Sequence, residues 1–140
     1  MIRGILQSVL GDSDYHALAR FRHALRVFLR FSEEAARAEG LTPGQHQLLL
    51  AVRGYPSDEA PTIGEVAEYL QLQHHSVVEL VDRAVAAKLV RRHTDAQDRR
   101  RQRLSLTAKG SRTLERLSAA HRSELREFRD QMNDVLQQLG

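Results

Sequence analysis

Residues 62–107 read TIGEVAEYLQLQHHSVVELVDRAVAAKLVRRHTDAQDRRRQRLSLT, and this stretch predicts two short helices followed by a two-stranded hairpin. The second helix repeats its apolar residues at a 3.6-residue period, through Val77, Leu80, Val81 and Ala84. Its other faces carry His75, Glu79 and Asp82, with Ser76 and Arg83 along one edge and Val78 along the other. We therefore expect this helix to pack on a core with one face and to bind a partner with the opposite face.

The hairpin is expected to form from strands 89–94 and 103–106 around a polar, exposed loop at 95–102. Seven basic and two acidic residues fall between Lys88 and Arg103, giving +5 there and leaving −2 for the rest of a chain whose total is +3. Concentrated positive charge suits a polyanion, because each neutralised phosphate releases condensed counterions. A solvated charged loop is the alternative. The position after two helices of this pattern favours a DNA duplex, with the helix in the major groove and the hairpin at the neighbouring backbone or minor groove.

Two helix starts have the sequence pattern of a capping box, one at residues 42–45 (TPGQ) and one at residues 62–65 (TIGE). Ser13 or Asp14 is the expected N-cap of a long first helix that reaches about Glu39 and is ended by Gly40. Residues 1–11 fit either a short helix or an arm.

Within the central stretch, the second helix is expected to end near Lys88, and Leu72 in the turn before it is expected to enter the core. Thr107 is the predicted cap of a long last helix, and whether that helix continues past Asn133 is left open. One seam of this helix carries apolar residues and a histidine at gaps of three or four: Leu114, Leu117, His121, Leu125, Phe128, Met132, Val135 and Leu139.

The apolar surface of the first and last helices is broader than one small core needs. We therefore predict a single domain in which residues 1–40 and 108–140 form a dimerisation region and residues 41–107 a DNA-binding lobe. A two-fold axis would place two recognition helices about 34–36 Å apart, one turn of the duplex.

Several function classes are excluded or disfavoured by composition. The chain has no cysteine, which excludes disulfides, thiolate metal sites and cysteine-based peroxide sensing. No long apolar run or signal peptide is found, so we expect a cytoplasmic protein that does not enter a membrane. No catalytic constellation, phosphate-binding loop or cofactor motif is present, so no enzyme, cofactor or metal is expected. His16, His23 and His121 are better explained as interface histidines than as a metal or effector site.

Three segments resemble the MarR family of winged-helix transcription regulators: LTPGQHQLLL at 41–50, TIGEVAEYLQLQHHSVVELVDRAVAAKLVRR at 62–92, and above all DAQDRRRQRLSLTAKG at 95–110. The resemblance implies a mainly α fold with a small β-hairpin wing, and an obligate homodimer that binds a pseudo-palindromic operator in double-stranded DNA. It also implies that Arg100 of the wing enters the minor groove and that Asp98 orients it. A guanidinium is attracted to the narrow minor groove of A·T-rich DNA.

The predicted DNA-binding residues lie on the second helix and in the wing: Gln73, His74, His75, Ser76, Val78, Glu79, Arg83, Asp98, Arg99, Arg100 and Arg101. The first four begin the recognition helix, the end that contacts bases. The tandem histidines depart from the family pattern, so base preference cannot be carried over, and His74 leans toward the apolar edge. Glu79 is expected to pair with Arg83 and leave that arginine to hold the DNA backbone.

We favour a repressor over an activator, because a protein can block a promoter simply by occupying its DNA. The resemblance further implies a small-molecule effector, often an aromatic acid or phenol, in a cleft between the dimer helices and the DNA-binding lobe. Residues around His16, Arg20, His46 and Arg53 are candidates for that cleft. The alternative function is a winged-helix protein-interaction module whose basic wing docks an acidic partner.

Overall fold

The computed structural model describes residues 9–139, which form five helices and one hairpin. The elements are α1 (Asp12–Ala38), α2 (Pro43–Gly54), α3 (Ile63–Leu70), α4 (His74–Ala86), β1 (Val90–Thr94), β2 (Gln102–Leu106) and α5 (Ala108–Leu139). The predicted mainly α fold with a β-hairpin wing is confirmed. A short helix or an arm was expected at residues 1–11. Residues 9–11 form no helix, and residues 1–8 lie outside the described part of the chain.

Both predicted capping boxes are confirmed. The N–H of Gln45 donates to Thr42 Oγ1 at 3.1 Å, and the N–H of Thr42 donates to Gln45 Oε1 at 3.0 Å. The same reciprocal pair joins Thr62 and Glu65 at 3.1 and 2.9 Å at the start of α3. The hydrogen bond from the Thr62 backbone is the largest cause that lowers the pKa of the Glu65 carboxyl.

The predicted N-cap at Ser13 or Asp14 is wrong, because the helix begins at Asp12 and both residues lie within it. The N–H of Asp14 donates to the carbonyl of Gly11 at 3.0 Å, and the N–H of Gly11 donates back to the Asp14 carboxylate at 3.0 Å. Asp14 therefore lies inside the first turn, where its negative charge also suits the helix dipole. The end of α1 is as expected: Gly40 has a positive φ of 79°, and Leu41 N–H binds Ala36 O at 2.9 Å.

Two expectations for the central stretch are corrected. Leu72 is not in the core, since 47% of it is exposed. Gln71 adopts the left-handed conformation (φ 58°), and the N–H of Leu72 turns back to Ala67 O at 3.0 Å, so the side chain of Leu72 leaves the core side of the turn. The helix α4 ends at Ala86 rather than near Lys88, because Lys88 is itself left-handed (φ 61°).

Residues 33–119 form one compact unit around a single apolar core. Its largest fully buried side chains come from every element of the unit except α1: Leu48, Leu49, Val66, Val77, Val81, Leu89, Val90, Leu104 and Leu117. At roughly 1.5–3 kcal/mol for each large apolar side chain removed from water, this cluster is the main source of stability for the unit. It fixes the inner faces of α3 and α4, and so determines which faces of these helices remain exposed.

The wing is a two-stranded antiparallel hairpin in which Val90 faces Leu106 and Thr94 faces Gln102. β1 begins one residue later than predicted and β2 one residue earlier, while both end where predicted, so the loop covers 95–101. A bridge between Thr62 and Arg103, together with Leu104 N–H donating to Pro61 O at 2.8 Å, attaches β2 to the segment before α3. The hairpin is thereby joined to the helix-turn-helix by backbone contacts as well as by side chains.

Thr107 caps α5 as predicted, with Gly110 N–H donating to Thr107 Oγ1 at 3.0 Å. The helix is continuous through Asn133, which settles the question left open by the sequence.

Residues 9–32 and 120–139 form a second compact unit. Phe28 lies 5.2 Å from Phe128 between ring centroids, and His121 forms a 2.9 Å hydrogen bond with Ser32 Oγ. His121 is thus a buried histidine with a polar partner, as expected. The predicted seam of α5 is only partly covered, since Leu125 and Leu139 are exposed.

No helix among residues 9–139 combines the length and the apolar character that crossing a membrane would require.

Candidate nucleic-acid interface

Helix α4 presents a polar face opposite its buried one. Val77, Val81 and Ala84 are fully buried in the core, whereas His75, Glu79 and Arg83 are exposed. The predicted division of this helix into a packed face and an outward face is therefore confirmed.

The first turn of α4 carries four of the predicted DNA-binding residues. Gln73 is the N-cap residue, and no side-chain hydrogen bond caps this helix. His74 and His75 are exposed and Ser76 is half-buried. His74 was expected to lean toward the apolar edge, but it is not covered by the core.

A cleft of 630 Å³ lies between the start of α3, helix α4 and the wing. It brings together four predicted residues, His74, Val78, Arg100 and Arg101. The remainder of its lining includes three carboxylates, Glu65, Glu68 and Asp82, and one further cation, Arg92. Recognition helix and wing therefore form the two walls of one groove within this unit.

Arg100 at the end of the wing loop is held by Asp98. Its backbone N–H donates to Asp98 Oδ1 at 3.0 Å, and its Nε donates to the same oxygen at 3.2 Å. The Arg100 side chain is nevertheless 91% exposed, against 33% for Asp98. The carboxylate limits the rotamers of a guanidinium that projects into solvent, which is the orientation that the family resemblance implied.

Asp82 on the outward part of α4 is paired with Arg92 of β1, so this carboxylate joins the recognition helix to the wing. The expected pair between Glu79 and Arg83 is wrong, because the ion pairs of residues 9–139 do not include it. Exposed i,i+4 pairs contribute only about 0.3–0.5 kcal/mol, too little to hold two flexible side chains together.

The sequence did not reveal the structural role of Arg103. This arginine was counted among the basic residues available to bind a polyanion. The Arg103 guanidinium binds Asp95 Oδ1 at 3.0 Å, Glu59 Oε2 at 3.0 Å and the carbonyl of Ala60. Its side chain is only 17% exposed and that of Asp95 only 12%. The hydrogen bond from Arg103 lowers the pKa of the Asp95 carboxyl, and that same bond raises the pKa of Arg103.

One signal could have separated Arg103 from the other arginines. It falls in the predicted strand 103–106, whereas Arg99, Arg100 and Arg101 fall in the loop, where all three are exposed. Arg103 is thus neutralised by its ion pairs at the base of the wing, whereas the three loop arginines remain exposed at its tip.

The histidines considered as ligands are not gathered into a site. Among residues 9–139, no group of three or more histidine, aspartate or glutamate side chains is arranged to hold a metal ion. His16 is exposed, His23 lies in a small apolar cleft and His121 is buried against Ser32.

Comparison with known proteins agrees with this geometry. The model of the MarR family matches residues 39–101. A protein of Thauera aromatica named for transcriptional regulation of the hcr operon is 25% identical over 128 residues, which cover 91% of this chain and 74% of that protein.

Solved structures with the same fold include complexes with DNA. The regulator MosR of M. tuberculosis in complex with DNA is 26% identical, covers 76% of this chain and 74% of its own, and has a TM-score of 0.60. The MepR–DNA complex of S. aureus is 23% identical, covers 86% and 82%, and has a TM-score of 0.62. AbsC of Streptomyces coelicolor, a MarR family regulator, is 21% identical, covers 87% and 82%, and has a TM-score of 0.72.

The matched segment contains α2 and also α3, α4, β1 and the wing loop, which line the groove described above. Sequence, fold and relatives therefore agree: residues 39–101 match the model of the MarR family, and the chain shares its fold with solved MarR family regulators.

Proposed function

We propose that this regulator binds a pseudo-palindromic operator as a homodimer and recognises it sequence-specifically. The observation that carries the proposal is the exposed Arg100 guanidinium, held by Asp98 at the tip of a wing that shares a groove with α4. A cation with restricted rotamers and an outward helix face are what reading two adjacent grooves of a duplex requires. The DNA complexes among the solved relatives, MosR and MepR, support the same partner.

The contacts divide between the two grooves. In the major groove, Gln73 and His75 would contact base edges, with His74 and Ser76 beside them and Val78 against a thymine methyl group. Arg83 would bind a phosphate, while Glu79 would lie away from the backbone because its charge is repelled. In the minor groove Arg100 would enter, and Arg99 and Arg101 would neutralise the flanking phosphates.

The homodimer is supported by apolar side chains that one chain leaves in solvent. In the unit that contains the ends of the described chain, exposed apolar residues lie on both long helices: Leu18, Phe21, Val27, Leu29, Leu125 and Leu136. Patches of this kind mark protein interfaces. The dimerisation region proposed at 1–40 and 108–140 would bury them against a second copy, and a two-fold axis would space the recognition helices by about 34–36 Å.

Repression is the simplest consequence of such binding, since an occupied operator blocks a promoter. A small aromatic acid or phenol is proposed as the effector that releases the DNA. An apolar cleft of 320 Å³ between α1 and α5 supports a ligand of this class, because it places the cationic Arg20 beside Ala24 and Val135. A volume of this size lies at the lower end of small-molecule sites.

The test is selection from random-sequence duplex DNA at physiological salt, read by sequencing. We expect an enriched palindrome with half-site centres about 10 bp apart. The rival function, a wing that docks an acidic protein, predicts no enriched sequence. Steep salt dependence with short duplexes, but not with a protein partner, would also favour DNA.

A further inference from the structure

Arg103 connects two segments that the sequence places far apart. On one side its guanidinium binds Glu59 and the carbonyl of Ala60, in the segment that leads into α3. On the other side it binds the carboxylate of Asp95, the first residue of the wing loop. Its planar guanidinium can donate several hydrogen bonds at once, which a lysine ammonium on a flexible stem cannot reproduce with the same geometry.

Asp95 in turn organises the loop that follows it. Its N–H donates to Arg101 O at 3.0 Å, which closes the loop. The N–H of Arg101 donates to Asp98 O at 3.0 Å within that closed loop. Besides Arg103, the backbone N–H groups of Asp98 and Gln97 help to lower the pKa of the Asp95 carboxyl, so this charge faces the turn that contains Asp98.

Asp98 completes this set of contacts by accepting from three nitrogen atoms of Arg100, the backbone N at 3.0 Å, Nε at 3.2 Å and Nη2 at 3.5 Å. Exposure of the side chains rises along the series, from the largely buried Arg103 and Asp95 through Asp98 to the fully projecting Arg100. These contacts are therefore anchored at Arg103 and end at the exposed Arg100. Such support is what holds a binding side chain within a fraction of an ångström of its working position.

We propose that Arg103 is a positioning residue for DNA binding, which holds the wing loop through Asp95 and thereby aims Arg100 at the minor groove. The inference rests on the proposed insertion of Arg100 and adds a residue that does not itself touch DNA. It predicts that a change at Arg103 matters only when Arg100 is present.

The test is a double-variant cycle with Arg103→Lys and Arg100→Ala. The dissociation constant is measured at fixed salt on the duplex most enriched by selection from random-sequence DNA. Arg103→Lys keeps the charge, so loss of affinity reports geometry rather than counterion release. We expect it to weaken binding about tenfold in the wild-type background and less than about twofold in the Arg100→Ala background, as residues that act through one another are strongly non-additive. Arg112→Lys, at an exposed position of α5 outside the groove and the wing, is the matched control and should bind like wild type.

Equal losses from Arg103→Lys in both backgrounds would overturn the positioning role, and so would no loss in either. A merely structural role would lower affinity whether or not Arg100 is present, so the cycle separates the two. If circular dichroism shows that Arg103→Lys does not fold, Asp95→Asn breaks the same contact from the other side and is put through the same cycle. Equal affinity of Arg100→Ala and wild type would instead refute the insertion of Arg100 itself, which is a different pattern of results.

Discussion

Gly110 lies directly against the backbone of Leu89, so closely that a Cβ at residue 110 would stand 2.1 Å from the Leu89 carbonyl oxygen. That oxygen also accepts the N–H of Thr107 at 3.0 Å. The first turn of α5 is therefore packed on the start of the wing, with no room for any side chain. This contact accounts physically for the glycine in the LTAKG segment.

Gly110→Ala should accordingly destabilise the protein. The obstructing atom belongs to the backbone and is hydrogen-bonded, so it cannot move aside, and we expect a loss of about 3 kcal/mol, at the upper end of overpacking costs. Gly54→Ala is the control, since nothing lies within 4 Å of its Cβ position and a change within about 0.5 kcal/mol is expected. Chemical denaturation measures both, and equal stability of the two variants would show that the close contact is absent.

Lys88 occupies a left-handed conformation (φ 61°) between α4 and β1, where glycine is favoured. Lys88→Gly should therefore raise the free energy of unfolding by about 1 kcal/mol, since the left-handed conformation costs a residue with a Cβ about 1–2 kcal/mol. Lys88→Ala removes the same charge but keeps the Cβ, and it should give no such gain. Thermal unfolding of the two variants measures this difference. An equal gain in stability for both variants would show that loss of the charge, rather than relief of backbone strain, is the cause.

The bond from Arg103 predicts an effect of acid on stability. Because it lowers the pKa of Asp95, the contact stabilises the folded protein above the ordinary carboxyl pKa of about 4, and that stabilisation is lost as the pH falls through the lower, folded value. Asp95→Asn should thus lie further below wild type in melting temperature at pH 6 than at pH 3. A difference that stays constant over this range would contradict the charged contact.

These contacts also show what sequence reasoning could and could not reach. Periodicity placed the buried face of α4, and the capping boxes fixed the starts of α2 and α3, because both depend on neighbouring residues. Leu72 was misplaced because the left-handed Gln71 reverses the chain, and no local pattern shows a positive φ at a glutamine.

Arg103 and Arg92 were misjudged for another reason. Each is neutralised by a partner that only the folded chain brings near, Asp95 and Glu59 for the first and Asp82 for the second. A count of charges along the sequence therefore overestimates how many of the wing's arginines remain available to DNA. The outward position of Arg100 and its restraint by Asp98, in contrast, followed from a signature of six consecutive residues, 95–100.

His75 is exposed on the outward face of α4 and should contribute to sequence discrimination. His75→Ala is expected to weaken binding to the selected duplex by about 1–3 kcal/mol more than binding to a scrambled duplex, the range for a base contact. Competition binding with the two duplexes measures the ratio. The control is His93→Ala, which removes an exposed imidazole from β1 and should leave that ratio unchanged. If His75→Ala instead weakens binding to both duplexes equally, His75 contacts the phosphate backbone rather than a base.

We propose that the Arg100 guanidinium held by Asp98 makes the wing's contact with DNA. The most direct measurement compares Arg100→Ala with Arg99→Ala on the selected duplex by fluorescence anisotropy, with unfolding temperature and oligomeric state measured alongside. Both variants lose one exposed positive charge from the same loop. We expect Arg100→Ala to bind at least about tenfold more weakly than Arg99→Ala, which is the effect of losing one strong groove contact, with stability and assembly unchanged. Equal affinity of the two variants, or an Arg100→Ala that binds like wild type, would contradict it.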